Sequence, residues 1–216
     1  FMNELARVAE RVGADIEQVR LGLGSDPRIG THFLYAGCGW GGSCLPKDVK
    51  ALRRTAADLG IEMEILGAVQ AVNERQRRLL VERALARFGP SLRGRRFALW
   101  GLAFKPGTDD LREAPSLEII EALLQAGATV QAYDPAVGAA PNLLLARREG
   151  FSFADDPMAA AADADALMVV TEWREFRSPD FDALRSALRQ PVIFDGRNIW
   201  DPALMAALGF ECHGIG

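Results

Sequence analysis

Phe97-Ala-Leu-Trp-Gly101, Pro115-Ser-Leu-Glu-Ile-Ile-Glu-Ala-Leu-Leu-Gln125 and Thr129-Val-Gln-Ala-Tyr-Asp134 are the segments on which the fold turns. A short apolar run closed by glycine reads as a strand buried on both faces. The proline-started run after it reads as a helix, and the β-branched Thr129–Asp134 segment as a second strand. The same grammar continues downstream. Phe151-Ser-Phe153 is a candidate third strand, followed by an alanine-rich helix from about Pro157. Ala166–Thr171 is an apolar strand, Phe181–Leu188 a helix and Val192–Asp195 another strand. Strands alternating with helices predict βαβ units and a doubly wound parallel sheet. Ligands of such sheets sit beyond the C-terminal strand ends. Three polar clusters fall there: Lys105 to Arg112, Thr171 to Phe176 and Asp195-Gly-Arg197.

Upstream the periodicity is helical. The apolar rhythm of Leu5, Val8, Ala9 and Val12 predicts a helix already running at Phe1 and ending near Gly13. It reads as a helix cut in its middle. Asp15 is placed to cap a second helix carrying Ile16, Val19 and Leu21, with a loop expected from Gly22 to Gly30 and an extended Phe33-Leu34-Tyr35. Val49–Leu59 reads as a short amphipathic helix closed by Gly60. Glu62–Phe88 reads as one long helix, about 40 Å at roughly 1.5 Å per residue. Such a helix suits a domain connection or packing against its twin in a dimer. Gly89-Pro90-Ser91 ends it, dividing the chain into an all-helical segment over 1–90 and an α/β domain over 91–216.

Between the two short helices of the first segment and the long one lies Gly37-Cys-Gly-Trp-Gly-Gly-Ser-Cys44-Leu-Pro-Lys-Asp48. Its glycines allow sharp bends and close approach to a ligand. Pro46 suits a first helical turn, which would also hold Lys47 and Asp48. A thiol at a helix N-terminus beside an ammonium has two influences that favour the thiolate. Cys44 is therefore a candidate nucleophile in a glycine-cradled pocket; the alternative is a glycine loop with a buried cysteine. Lys105 and Arg112 bring two cations to a strand end, as a phosphate-bearing ligand requires, although the pattern equally suits a surface loop with internal Asp–Arg pairs. Gly101 to Arg112 stands where a dinucleotide loop would, yet is not G-x-G-x-x-G. Arg197 can reach the same crevice or form a surface ion pair.

Composition excludes several classes. The 216 residues are 49% hydrophobic and 25% charged, with a formal net charge of −4, as in an ordinary globular protein. Mild acidity argues against general nucleic-acid or anionic-membrane binding. No apolar run approaches the roughly 20 residues of a membrane span, and the start shows no signal peptide. Three cysteines and two histidines offer neither a disulfide framework nor zinc-ligand spacing, so no metal site is expected. A reducing cytoplasm fits. Of 25 basic residues 22 are arginine, which marks Lys47 and Lys105 as places for a compact ammonium; Lys50 reads as a solvated charge. No Ser-His-Asp arrangement can be assembled.

Longer motifs carry a resemblance. Asp26-Pro-Arg-Ile-Gly30, Gly39-Trp-Gly-Gly-Ser-Cys-Leu-Pro-Lys-Asp48, Gly101-Leu-Ala-Phe-Lys-Pro-Gly-Thr-Asp-Asp-Leu-Arg-Glu-Ala-Pro115, Tyr133-Asp-Pro135, Thr171-Glu-Trp-Arg-Glu-Phe176 and Asp195-Gly-Arg-Asn198 resemble the UDP-glucose/GDP-mannose dehydrogenase family. The likeness runs colinearly from Phe1 to Gly216. It implies a Rossmann-like UDP-sugar-binding domain at 91–216 and an enzyme oxidising a sugar C6 alcohol to a carboxylate in two NAD-dependent steps. Cys44 would form a thiohemiacetal and then a thioester, with Asp48 near the hydrolytic water. The resemblance implies substrate contacts from Phe33, Leu34, Tyr35, Ala36, Gly37, Gly41, Phe104, Lys105 and Arg197, and from Arg28 across subunits. Lys47 and Arg112 would contact NAD, and the 62–88 helix would form a homodimer. The family's N-terminal NAD-binding domain, and a catalytic glutamate, lysine and asparagine, would precede Phe1, so these 216 residues alone are expected not to turn over. Ser-Cys-Leu-Pro-Lys-Asp is also spelled so in GDP-mannose dehydrogenases, whereas Arg-Ile-Gly and Thr-Glu-Trp-x-Glu-Phe favour UDP-glucose as substrate. GDP-mannose, an N-acetylated UDP-sugar, or a non-catalytic UDP-sugar-binding and dimerisation module are the alternatives.

Overall fold

The structure of the chain, a computed structural model, describes residues 1–138 and 147–216. Four helices come first: α1 (Met2–Val12), α2 (Ile16–Gly24), α3 (Leu45–Asp58) and α4 (Glu64–Phe88). Then strands and helices alternate: β1 (Arg96–Trp100), α5 (Pro115–Gln125), β2 (Thr129–Tyr133), β3 (Phe151–Phe153), α6 (Pro157–Ala161), β4 (Ala166–Val169), α7 (Phe181–Ala187), β5 (Val192–Asp195), α8 (Pro202–Ala207) and β6 (Glu211–His213). The six strands make one sheet in the order β3-β2-β1-β4-β5-β6. Every pairing is parallel, with Phe97 opposite Val130 on one side and Ala166 on the other. This is the expected α/β, Rossmann-like sheet, and its order reverses between β1 and β4.

Strand alternation sorts the core into two layers. Phe97 and Leu99 of β1, with Met168 and Phe194, pack against Ile119, Ile120 and Leu123 of α5. Ala98 and Trp100 point the other way, toward Leu184 of α7 and Met205 of α8. Trp100 is fully buried, and its indole donates to the Pro157 carbonyl at 2.8 Å. Burial of each such side chain stabilises the fold by roughly 1.5–3 kcal/mol. Leu80, Val81 and Ala84 of α4 and Met2, Ala6 and Ala9 of α1 belong to the first layer. The second half of α4 thus covers the sheet, and the first half carries the glycine segment described below.

Local rules account for most boundaries. Gly13, at φ 71°, closes α1 through its N–H to Ala9, and Asp15 caps α2 by accepting from Glu17 N–H. Pro115 starts α5. Several expectations need correction. Helix α2 runs through Gly22 to Gly24, so the loop begins at Ser25. Phe33-Leu34-Tyr35 is not extended: Phe33 sits at φ 64° in a turn, and among the described residues no strand lies beside it to pair with. Helix α3 starts at Leu45, four residues before Val49, because Cys44 occupies the N-cap and its carbonyl accepts from Asp48 N–H at 2.8 Å. Helix α4 starts at Glu64 rather than Glu62, and the sheet domain ends with a further helix, α8, and strand, β6, beyond the elements predicted.

Candidate active site

The strand ends that face a ligand in such sheets are built here by two buried carboxylates. Asp134, just past β2, accepts from Leu102 N–H and Ala103 N–H with one oxygen, at 2.7 and 3.0 Å, and from Ala136 N–H and Val137 N–H with the other. It also takes the Trp173 indole N–H at 3.1 Å. Asp195, ending β5, accepts from the backbone N–H of Arg197, Ile199 and Trp200. Burial pushes its pKa up against those donors. Thr171 donates to the Ala103 carbonyl at 2.6 Å, and a β-carbon on Gly101 would strike Thr171. The loops after β1, β4 and β5 are therefore mutually braced.

The glycine segment is laid across this edge. Cys38 N–H donates to the Gly196 carbonyl at 2.8 Å, and Gly37 N–H to the side chain of Asn3 at 2.9 Å. From α4, Gln76 donates to Gly37 O at 2.8 Å, and Asn73 both accepts from Trp40 N–H and donates to Trp40 O. Arg77 also donates to Trp40 O, at 3.0 Å. Asn73 and Gln76 are buried, as polar groups are when their hydrogen bonds are made. On the other side Gly42 N–H donates to Arg112 O at 2.9 Å, and a β-carbon on Gly42 would meet the Phe104 ring at 2.7 Å. Glycine is needed here for space.

Around this seam the structure gathers Gly37, Gly41, Phe104, Lys105, Arg112 and Arg197. Arg197 is half-buried; its Nε donates to Val170 O at 2.7 Å and lies 3.4 Å from Glu172, and its guanidinium would be 3.1 Å from a β-carbon on Gly37. Lys105 is exposed, its ammonium 5.4 Å from the Phe104 ring centre. Arg112 is gripped by Asp110 through two contacts of 2.9 and 2.8 Å. That bond is the main reason the Arg112 pKa is raised and the Asp110 pKa lowered. The loop pairs Asp110 with Arg112, as the surface-loop reading expects, and leaves Lys105 exposed.

Cys44 is the N-cap of α3, with Sγ 3.6 Å from Ser43 Oγ. The thiol is exposed rather than cradled in a pocket, because the glycines direct their backbone toward α4 and Arg112 and leave Cys44 at the lip. The buried cysteine of the segment is Cys38, whose thiol burial pushes up. Lys47 and Asp48 are exposed and face one another at 3.5 Å. Ala36 is buried and Leu34 packs on the core, but Arg28, Phe33 and Tyr35 lie outside the seam. Arg28 is clamped to Asp26 at 2.6 Å, Phe33 is 95% exposed, and Tyr35 lies under Arg20 at 4.4 Å. Lys50 is not a free solvated charge: it binds Glu113 at 2.7 Å. Asn3, Asn73, Gln76, Arg77 and Glu113 were not singled out in the sequence. The spacing i, i+3 and i+4 puts Asn73, Gln76 and Arg77 on one face of α4, whereas nothing local marks Asn3 or Glu113.

Among the described residues no cluster of three metal-ligating side chains occurs, and no helix is long and apolar enough to cross a membrane. Lys47 and Arg112 match the charge of a dinucleotide pyrophosphate, but the β1–α5 loop ends at Ala114-Pro115 without a glycine cradle.

Comparison with known proteins agrees with this architecture. A UDP-glucose 6-dehydrogenase of Pseudomonas aeruginosa is 54% identical over 221 aligned residues, covering 100% of this chain and 48% of the relative. The structure of a UDP-glucose dehydrogenase from Pyrobaculum islandicum superposes with a TM-score of 0.85 at 35% identity, over 100% of this chain and 46% of that one. An NDP-N-acetyl-D-galactosaminuronic acid dehydrogenase from Methanosarcina mazei Go1 gives 0.82 at 31% identity, over 99% and 46%. The chain spans about half the length of the curated relatives it matches. Residues 1–75 match the central domain, and residues 98–202 the UDP binding domain, of one and the same family. With helices and sheet both accounted for in this way, the chain belongs to the UDP-glucose/GDP-mannose dehydrogenase family.

Proposed function

We propose that this chain supplies the cysteine-bearing helical segment, residues 1–90, and the UDP-sugar-binding sheet, residues 91–216, of an NAD-dependent enzyme that oxidises UDP-glucose to UDP-glucuronate. The observation that carries the reading is the seam itself: the Arg197 guanidinium lies against Gly37 and the Phe104 ring, with Lys105 over it, against Gly42, while Cys44 two residues on is exposed.

Substrate is held by charge and shape. Arg197 and Lys105 attract the diphosphate, and Gly37, Gly41, Ala36 and Leu34 let the nucleotide sugar lie close to the backbone. Phe33 and Tyr35 line the nucleotide-sugar site with them, and Arg28 reaches the substrate of a neighbouring subunit. Partial neutralisation of Arg197 by Glu172 keeps the guanidinium in place until an anion competes. NAD, when bound beside Lys47 and Arg112, supplies the hydride acceptor for both oxidations. Once the C6 aldehyde has formed, Cys44 Sγ adds to its carbon and the oxygen takes a proton, giving a thiohemiacetal. Loss of hydride from that carbon and of the hydroxyl proton leaves a thioester. Water, oriented by Asp48 one turn along α3, adds to the thioester carbon, and the C–S bond breaks to release carboxylate and thiol. A homodimer through α4 and a cytoplasmic location belong to the same reading; the exposed Ile65 of α4 and Val8 and Val12 of α1 are apolar surface such a contact would cover.

In the complete enzyme, Cys44→Ser should abolish UDP-glucuronate formation, followed as NADH release and product by chromatography. Acid formation surviving that change would refute the covalent step. The likeness to the Methanosarcina protein keeps an N-acetylated nucleotide sugar as the second reading. Steady-state kinetics with UDP-glucose, UDP-N-acetylhexosamines and GDP-mannose separates them, and UDP-glucose should show the highest kcat/KM.

A further inference from the structure

Glu113 contacts two helices and lies against Gly41 of the glycine segment. It follows Arg112 in the β1–α5 loop and adopts a left-handed backbone, φ 54°, which a residue with a side chain keeps only where its surroundings impose it. Its Oε1 accepts from Lys50 Nζ at 2.7 Å, and its Oε2 from Arg77 Nη1 at 3.2 Å. Its carbonyl accepts from Arg77 Nη2 at 2.9 Å. Lys50 lies on α3, the helix that Cys44 caps. Arg77 lies on α4 and also holds Trp40 O of the glycine segment. Its side chain thus joins the cysteine's helix and α4 to the loop carrying Lys105 and Arg112, and reaches the glycine segment through Arg77.

An ordinary surface ion pair would contribute little and would tie nothing in place. Here the Lys50–Glu113 contact is itself at the surface, but Glu113 is anchored on Arg77, whose side chain is only 12% exposed, and the bridge spans segments far apart in the chain. Nor is the cluster a ligand site. The cavity beneath Trp40, Lys50, Asn73, Arg77 and Glu113 is about 40 Å³, far below the roughly 300 Å³ at which small-molecule pockets begin.

We propose that Glu113 is a positioning residue, and that the Lys50–Glu113–Arg77 bridge sets where α3 presents Cys44 relative to Lys105 and Arg112. The proposal rests on the reading of Cys44 as the nucleophile. A bridge of this kind acts on the geometry of attack, so its loss falls on kcat.

The test uses the complete enzyme with UDP-glucose and NAD. Glu113→Ala and Lys50→Met should each lower kcat by about 10²-fold, the scale of a 1 Å misplacement. KM for UDP-glucose should move by less than about threefold. Lys50→Arg, which can remake the bridge, should recover most of the rate. Circular dichroism and thermal denaturation check that each variant is folded, and if Glu113→Ala is not, the two Lys50 variants decide. A folded Glu113→Ala or Lys50→Met enzyme with kcat within about twofold of the parent would overturn the proposal. So would a loss confined to KM, or equal losses in Lys50→Met and Lys50→Arg. A parent enzyme that makes no UDP-glucuronate would instead remove the functional reading, and this proposal with it.

Discussion

A β-carbon on Gly41 would run into the carbonyl of Glu113, and Ala114 Cα would stand 3.1 Å from it. Both neighbours are backbone, so neither can swing aside. Gly41→Ala must therefore push the glycine segment off the β1–α5 loop and strain the Gly42–Arg112 hydrogen bond. The expected cost is about 1–3 kcal/mol of stability, with a loss of activity because the seam opens. Gly60→Ala is the control. Gly60 has φ 75° and nothing within 4 Å of its added carbon, so it should lose only about 1 kcal/mol through backbone strain and keep its kcat. Urea denaturation of the two variants, and their steady-state kinetics in the complete enzyme, read out the difference.

Asp134 accepts from five N–H groups and is buried. Asp134→Asn keeps the shape but turns one acceptor oxygen into a donor, which faces N–H groups whichever way the amide is turned. The expected loss is about 2–3 kcal/mol, since buried donors are left unmade. Loss of Trp173 indole ordering should accompany it, visible as a change in near-ultraviolet circular dichroism. An unchanged urea midpoint would show that the carboxylate is not the organiser of this edge.

The three cysteines should differ in reactivity. Cys44 is exposed, Cys38 is wholly buried, and burial pushes the Cys212 thiol up to about 12. Iodoacetamide near neutral pH should label Cys44 first, and mass spectrometry of the digested protein will locate the label. Labelling of Cys38 or Cys212 ahead of Cys44 in the folded protein would contradict the arrangement.

Cys212 also makes stability fall in alkali. In the unfolded chain it ionises near 8.5, and in the folded chain at about 12. Between these values the folded state holds the proton and the unfolded state does not, so rising pH favours unfolding; below about 8.5 both states carry the thiol and the effect vanishes. The slope contributed is at most about 1.4 kcal/mol per pH unit. Burial raises the Cys38 thiol too, and it acts in the same direction. Cys212→Ala should flatten the decline of urea midpoints above about pH 8.5.

Elements governed by neighbours in the chain are legible in the amino-acid order. Helix α5 begins at Pro115 and ends at Gln125 as the sequence predicts, α1 ends at Gly13, and β5 spans Val192–Asp195. Proline, glycine and apolar period act locally, so they can be read locally. Of the candidate site, only the residue types and their place in the order are legible in this way. Cys44 at a helix start beside Lys47 and Asp48, and the cations Lys105, Arg112 and Arg197 at strand ends, follow from order alone.

Local pattern thus specifies a parallel α/β sheet behind a long helix, and the residue types available at the sheet's C-terminal edge. Long-range packing specifies the rest. β6 is three residues long and is a strand only because β5 pairs with it. Phe33–Tyr35 has strand-like residues but no strand beside it, so it turns instead. Cys38 became the buried thiol and Cys44 the exposed one because Asn73, Gln76 and Arg77, more than thirty residues away, take the glycine segment's backbone hydrogen bonds. Glu113 became the joint of the seam for the same reason. Hydrogen bonds and ion pairs between distant segments depend on where the folded chain brings them, and no local pattern encodes that separation.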